Sequence, residues 1–254
     1  MNSKKDRINI VPVIVIAAFL FIWQVACTFL WVPKYMLPSP VQVMRAFVSD
    51  FPLLISHARV TLLEAVLGLT CGVLLGFLCA VFMDAFPIVK KGLYPILVIT
   101  QTIPPVAIAP LLILWFSYGI APKVILVVLV SFFPMAVGLL QGFQSVDEDM
   151  IKLMRSMKAS RSQIFWYVKF PGALPEFFSG LRIAVAYSVV GAVIAEWLGG
   201  FSGLGVYMTR VKKSMAYDKM FAVIFFVSAI SLLLMALVSV LQRKTMPWVN
   251  KHDR

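Results

Sequence analysis

Six stretches of this chain stay apolar for twenty or more residues, and no other feature limits its fold as strongly. A bilayer core about 30 Å thick is crossed by about 20 helical residues, and inside it every backbone N–H and C=O must be satisfied within the segment, which favours helices. The runs fall at 10–31, 60–83, 93–116, 123–143, 177–198 and 220–241. With 61% apolar and only 13% charged residues over 254 positions, little is left for a separate soluble domain, so one all-α polytopic membrane domain covering 1–254 is predicted. The first run follows Lys4, Lys5, Asp6 and Arg7 and lacks a small-residue cleavage site, so it reads as an uncleaved span. Six spans put both termini on one side. With the termini in the cytoplasm, fourteen Lys and Arg fall inside and eight outside, and this bias sets the predicted orientation.

The net charge of +12 does not indicate nucleic acid, because the basic residues are scattered through short loops beside apolar runs, where topology and lipid contact account for them. Cys27, Cys71 and Cys79 all lie inside apolar runs, and His57 and His252 are far apart, so neither a disulfide framework nor a metal cluster is indicated. No phosphate-cradling Gly-x4-Gly-Lys loop and no Ser/His/Asp or His-Glu-x-x-His set is present. The chain is therefore not predicted to be an enzyme, and it offers no catalytic, cofactor-binding or metal-binding residues.

The longest ordered stretch outside the runs is 146–171, VDEDMIKLMRSMKASRSQIFWYVKFP, which reads as a helical hairpin on the cytoplasmic side. Asp147 can cap its first helix, with Glu148 and Asp149 in the opening turn and Ile151, Met154, Met157 and Lys158 at helical spacing. Ser160 can cap the second, with Gln163 in capping-box position and an apolar stripe of Ile164, Phe165 and Val168 that ends at Pro171. Lys152, Arg155, Lys158, Arg161 and Lys169 make it basic. Two uses fit this pattern: lying in the headgroup layer, or receiving a partner protein.

Other signals sit inside the spans. After the first, Leu37-Pro38-Ser39-Pro40 stops the helix, and 41–56 reads as an amphipathic piece along the outer face. Gly68, Gly72 and Gly76 recur every fourth residue, which fits close helix packing within one subunit better than dimerisation. The third span carries Gln101 with Pro104, Pro105 and Pro110, which either kink it or open a cavity. Arg182 is expected to snorkel to the interface. Glu196 is a candidate for an outer gate or path, unless Arg210, Lys212 or Lys213 merely neutralises it, and Glu64 lies near Arg59.

The hairpin resembles the coupling loop of ABC importer permeases, whose pattern is Glu-Ala-Ala, three residues, Gly, nine residues, then Ile-x-Leu-Pro. Lys152-Leu153-Met154 stands at the Glu-Ala-Ala place, Lys158 at the Gly, and Val168-Lys169-Phe170-Pro171 at the end. Leu37-Pro38-Ser39-Pro40, Gln101-Thr102-Ile103-Pro104-Pro105 and Ser131-Phe132-Phe133-Pro134 resemble the nitrate, sulfonate and taurine branch of these permeases. Gly191 to Trp197 and Gly205 to Arg210 look most like members assigned to hydroxymethylpyrimidine, a thiamine precursor; sulfonate, taurine, nitrate and riboflavin uptake are the alternatives. The resemblance implies a type I importer permease of a bacterial inner membrane, a homodimer in lipid. Two ABC ATPase subunits, which hold the ATP and magnesium, and an extracytoplasmic binding protein complete it. It further implies that Lys152, Met154, Arg155, Met157, Lys158, Arg161, Ile164, Phe165 and Pro171 meet the ATPase. Gln101, Pro104, Pro105, Pro110, Tyr187 and Glu196 are the candidate residues of the path. The competing class is an ion-coupled secondary carrier using Glu64 and Glu196 as a relay.

Overall fold

The computed structural model describes residues 10–29 and 36–247. The charges expected to set topology at Lys4, Lys5, Arg7, Lys34, Lys251 and Arg254 lie outside these residues, as does His252. All regular structure among the described residues is helical: α1 (Val11–Thr28), α2 (Pro40–Ser49), α3 (Phe51–Ala85), α4 (Pro87–Gln101), α5 (Pro105–Phe116), α6 (Ala121–Gln144), α7 (Glu148–Ser156), α8 (Arg161–Ile164), a π turn (Phe165–Lys169), α9 (Phe170–Gly199), α10 (Leu204–Lys213) and α11 (Tyr217–Thr245). Among the described residues five helices or continuous helical stretches are long and apolar enough to cross a membrane, and α4 with α5, bent by 100° at the break between them, is long and apolar enough as a pair, either as a broken span or as a re-entrant loop.

The core is three helices laid side by side. Gly68, Gly72 and Gly76 of α3 face Val127, Ser131 and Met135 of α6, each glycine meeting the residue 59 positions on, so the two helices run parallel in constant register. A Cβ at Gly76 would stand 2.7 Å from that of Met135, closer than real carbon atoms approach. The glycine ladder therefore packs helices within one subunit, as its spacing predicts. On its other side α6 meets α9 antiparallel, with Gly180 against the Pro134 carbonyl and Gly142 against Ala173. In lipid, where burying apolar surface gains little, such close van der Waals contact supplies much of the association energy. Phe143, Leu139, Leu140, Met135 and Met83 fill this core at the end where the 146–171 hairpin lies.

Two sequence expectations change, and a third gains a partner. The piece at 41–56 is not one interfacial helix: Ser39 caps α2 with a full capping box to Gln42, α2 ends at Ser49, and α3 starts at Phe51. With Pro52 in its first turn, where a missing N–H costs nothing, α3 runs on for 35 residues. The hairpin's second helix does not end at Pro171. Its last residues widen into the π turn, where the Phe170 N–H reaches the Phe165 carbonyl, and Pro171 becomes the first turn of α9, so 161–199 is one continuous helical stretch. A wider turn accommodates a proline ring that a regular helix interior would reject. Finally, Arg182 donates to Gln242 Oε1 at 2.6 Å, a partner the sequence did not supply, which joins α9 to the basic end of α11.

Candidate functional site

The broken third span opens two cavities. Pro104 and Pro105 cannot donate back to the carbonyls of Thr100 and Gln101, and the chain turns sharply between α4 and α5. Thr100 and Thr102 close the last turn of α4 by donating their hydroxyls to Leu97 and Ile99. Beside the break lies a cavity of about 260 Å³ walled by Gln101, Ile103, Pro105, Leu126, Val130 and Tyr187. A second, of about 300 Å³, continues towards the hairpin end between α6 and α9, walled by Gln101, Phe133, Gln141, Glu176, Ser179 and Tyr187 among others. Gln101 and Tyr187 belong to both. Of the candidate path residues, these two and Pro105 come together; Pro104 caps α5, Pro110 sits exposed within it, and neither lines a cavity described here. Broken helices at membrane depth are tolerated where they border a cavity, and that is the arrangement here.

Glu196 belongs to a different construction at the far end. It is 99% buried and accepts hydrogen bonds from the Thr61 hydroxyl at 2.7 Å and the Gly205 N–H at 2.6 Å. The Gly203 N–H donates to His57 Nδ1 at 2.9 Å and the Leu204 N–H to Thr61 Oγ1 at 2.9 Å. Side chains from α3 and α9 thus cap the first turn of α10, satisfying donors that a helix start leaves open. The glycines make room: Gly203 has φ +121, and a Cβ there would overlap the Glu196 carboxylate. The alternative reading, neutralisation of Glu196 by Arg210, Lys212 or Lys213, finds no ion pair among the described residues; Arg210 donates to the Phe201 carbonyl. Glu64 is not paired with Arg59 but with Lys123 of α6, at 2.6 Å and with both side chains buried. Sequence reading missed Lys123, counting it as an outer-loop charge, although Glu64 stands one helical turn before Gly68 on the same face of α3.

The hairpin is built as its caps predict. Asp147 accepts from the Asp149 N–H, and Ser160 and Gln163 form the capping box. Lys152 pairs along its own helix with Asp149 at 2.9 Å. Lys158 has a left-handed backbone, φ +56, and with the Ala159 N–H bonded to the Met154 carbonyl it closes α7 by a Schellman motif. Lys169 makes a half-buried ion pair with Asp84, fastening the hairpin to α3. Among the candidate contact residues Lys152, Arg155, Met157, Lys158 and Arg161 are exposed; Met154, Phe165 and Pro171 are half-buried. Ile164 is buried, and Phe165 packs on Phe143, so this pair seats the hairpin on its own core. Leu153, Trp166 and Tyr167, not singled out by sequence, are exposed beside the basic residues.

The fold and the sequence agree with known proteins. The chain is similar over 0.67 in TM-score, at 18% identity, to an inward-facing MetNI methionine ABC transporter chain, covering 77% of this chain and 97% of that one. It matches a chain of an amino acid ABC transporter with a TM-score of 0.61 at 21% identity, covering 78% and 95%. Both likenesses show the type I importer permease fold. In sequence it is 40% identical to a probable ABC transporter permease protein of Haemophilus influenzae over 88% of this chain and 91% of that protein. It is 36% identical to the formylaminopyrimidine transport permease protein ThiX of Halalkalibacterium halodurans over 95% and 96%, and 32% identical to the taurine permease TauC of Escherichia coli over 92% and 87%. Residues 72–247 match the model of the binding-protein-dependent transport system inner membrane component. The chain belongs to that family, and is the permease subunit of an ABC importer, not an enzyme.

Proposed function

We propose that this chain forms the solute path of an ABC importer for a thiamine-precursor pyrimidine, hydroxymethylpyrimidine or its formylaminopyrimidine relative. The observation that carries the path is the broken third span, whose two cavities run from the break towards the hairpin end and share Gln101 and Tyr187. The pyrimidine rests on the ThiX likeness together with the Gly191 to Trp197 and Gly205 to Arg210 runs. In this reading both termini and the hairpin face the cytoplasm, two copies of the chain face each other across the path, and a binding protein delivers solute at the far end. ATP and magnesium sit on two ATPase subunits docked on the hairpins through Lys152, Arg155, Met157, Lys158 and Arg161. ATP moves the permease only if the ATPase holds the hairpin with different free energy in the two states.

The test is purification from native membrane followed by reconstitution with the co-purifying ATPase and binding protein. The expected outcome is ATP-dependent uptake of labelled hydroxymethylpyrimidine. Uptake of taurine or nitrate alone would replace the solute while keeping the machinery. Solute movement by the isolated chain along an ion gradient, without ATP, would restore the secondary-carrier reading.

A further inference from the structure

We infer that the path along α9 selects by charge: it accepts an uncharged or cationic planar amine and rejects anions, and Glu176 at its hairpin end sets that preference. This rests on reading the chain as a permease whose path runs through these cavities. The polar groups in the walls of the larger cavity are the amides of Gln101 and Gln141, the hydroxyls of Ser179 and Tyr187, and the Glu176 carboxylate. Amides and hydroxyls donate and accept alike, so they orient a solute without choosing its charge. Glu176 does choose. It is exposed on α9, and no hydrogen bond or ion pair engages it among the described residues.

No cation offsets it. Among the described residues neither cavity has a Lys or Arg in its walls. The basic side chains that could have turned inwards are held elsewhere: Lys123 by Glu64, Lys169 by Asp84, and Arg182, next in sequence to the wall residue Ile183, by Gln242 on α11. An anion such as nitrate or a sulfonate would pass an unpaired carboxylate with no positive charge to replace its hydration. A flat amine meets suitable groups throughout. A glutamine amide can pair two-point with a ring nitrogen beside an exocyclic amine, as it does with adenine. Tyr187, 52% exposed, and Phe133 add aromatic side chains to the wall, the residue type that binds heteroaromatic or cationic solutes.

The experiment needs no identified solute. In the permease–ATPase complex in proteoliposomes, with Cys27, Cys71 and Cys79 replaced by Ser, Ser179→Cys places one thiol per permease chain in the cavity wall. Its modification rates by trimethylammonium-ethyl and sulfonato-ethyl methanethiosulfonate are compared with those of free cysteine. The cationic reagent should be favoured by about tenfold beyond the free-thiol ratio, as expected for a unit charge one helical turn from the thiol that attracts one reagent and repels the other. Glu176→Gln should bring the ratio back to within about twofold of free thiol, while Glu176→Asp keeps it. Equal or faster reaction with the anionic reagent overturns the proposal, as does a thiol that neither reagent reaches. A preference that survives Glu176→Gln overturns the assignment to that residue. ATP-dependent uptake of labelled hydroxymethylpyrimidine by the same vesicles, with the co-purifying binding protein supplied, is read separately: its absence beside an intact charge preference counts against the transport reading and leaves the electrostatics standing.

Discussion

Lys123 and Glu64 meet where neither reaches water, and Lys123 is the partner that a single-helix reading could not supply. A buried pair of this kind is stabilising only relative to its broken halves, because each charge was desolvated to form it. Removing one partner strands the other. Lys123→Met or Glu64→Leu alone is expected to cost about 3 kcal/mol or more, whereas the double variant should recover most of the loss. The midpoint of thermal aggregation in detergent, measured for all four members of the cycle, checks this; additive losses would mean the pair does not hold α3 to α6. Glu196 carries the same lesson. As an acidic residue in an apolar run it was visible as important, but its donors, Thr61 and the Gly205 N–H, lie 135 and 9 positions away and are assembled only by the crossing of α3, α9 and α10.

Helix α7 ends on a lysine in a conformation that favours glycine. The family pattern places Gly at this point, and Lys158 adopts the left-handed backbone nonetheless, held by the bonds of the Schellman motif. Relief of the Cβ clash by Lys158→Gly should stabilise the cap by roughly 1 kcal/mol, slowing local opening about fivefold. Hydrogen exchange of the peptide covering 148–160 reads this directly, and unchanged or faster exchange would contradict it. The hairpin's caps were legible because capping is local, written in residues three apart. Its second half was not: Pro171 is a stop signal by every local rule, and only the π turn before it explains why the helix continues into α9. The broken third span lies between these cases. Its prolines announced a break, and the family resemblance grouped Tyr187 with Gln101 and Pro105, but the cavity's α6 wall, with Leu126 and Val130, carries no signal in the sequence.

At the scale of the whole molecule, one carboxylate ties three distant segments. Asp50, at the α2–α3 junction, accepts from Tyr207 of α10 at 2.7 Å and pairs with Lys219 of α11 at 2.8 Å. Burial pushes its carboxyl up, but the hydrogen bonds from Lys219, Tyr207 and Ser49 and the charge of Lys219 outweigh that and hold it below the ordinary carboxylate value. Burial and the Asp50 carboxylate push the Tyr207 phenol up in turn. A lowered Asp contributes stability above its unfolded value, and that contribution fades as pH falls through the folded one. Wild type should therefore exceed Asp50→Asn in thermal midpoint near neutrality, with the gap closing below about pH 4. A gap that does not change from pH 7 to 3 would count against the carboxylate as the tie. The π turn has a further consequence, for which changes the chain can tolerate. Each residue of a helix turns its direction by about 100°. Residues 165–169 thus fix the angular phase between the hairpin and the 30-residue helix α9. Substitutions there alter contacts, but losing a single residue would swing the exposed basic face of the hairpin a quarter-turn or more relative to α9, so the length of this segment is under tighter constraint than its spelling.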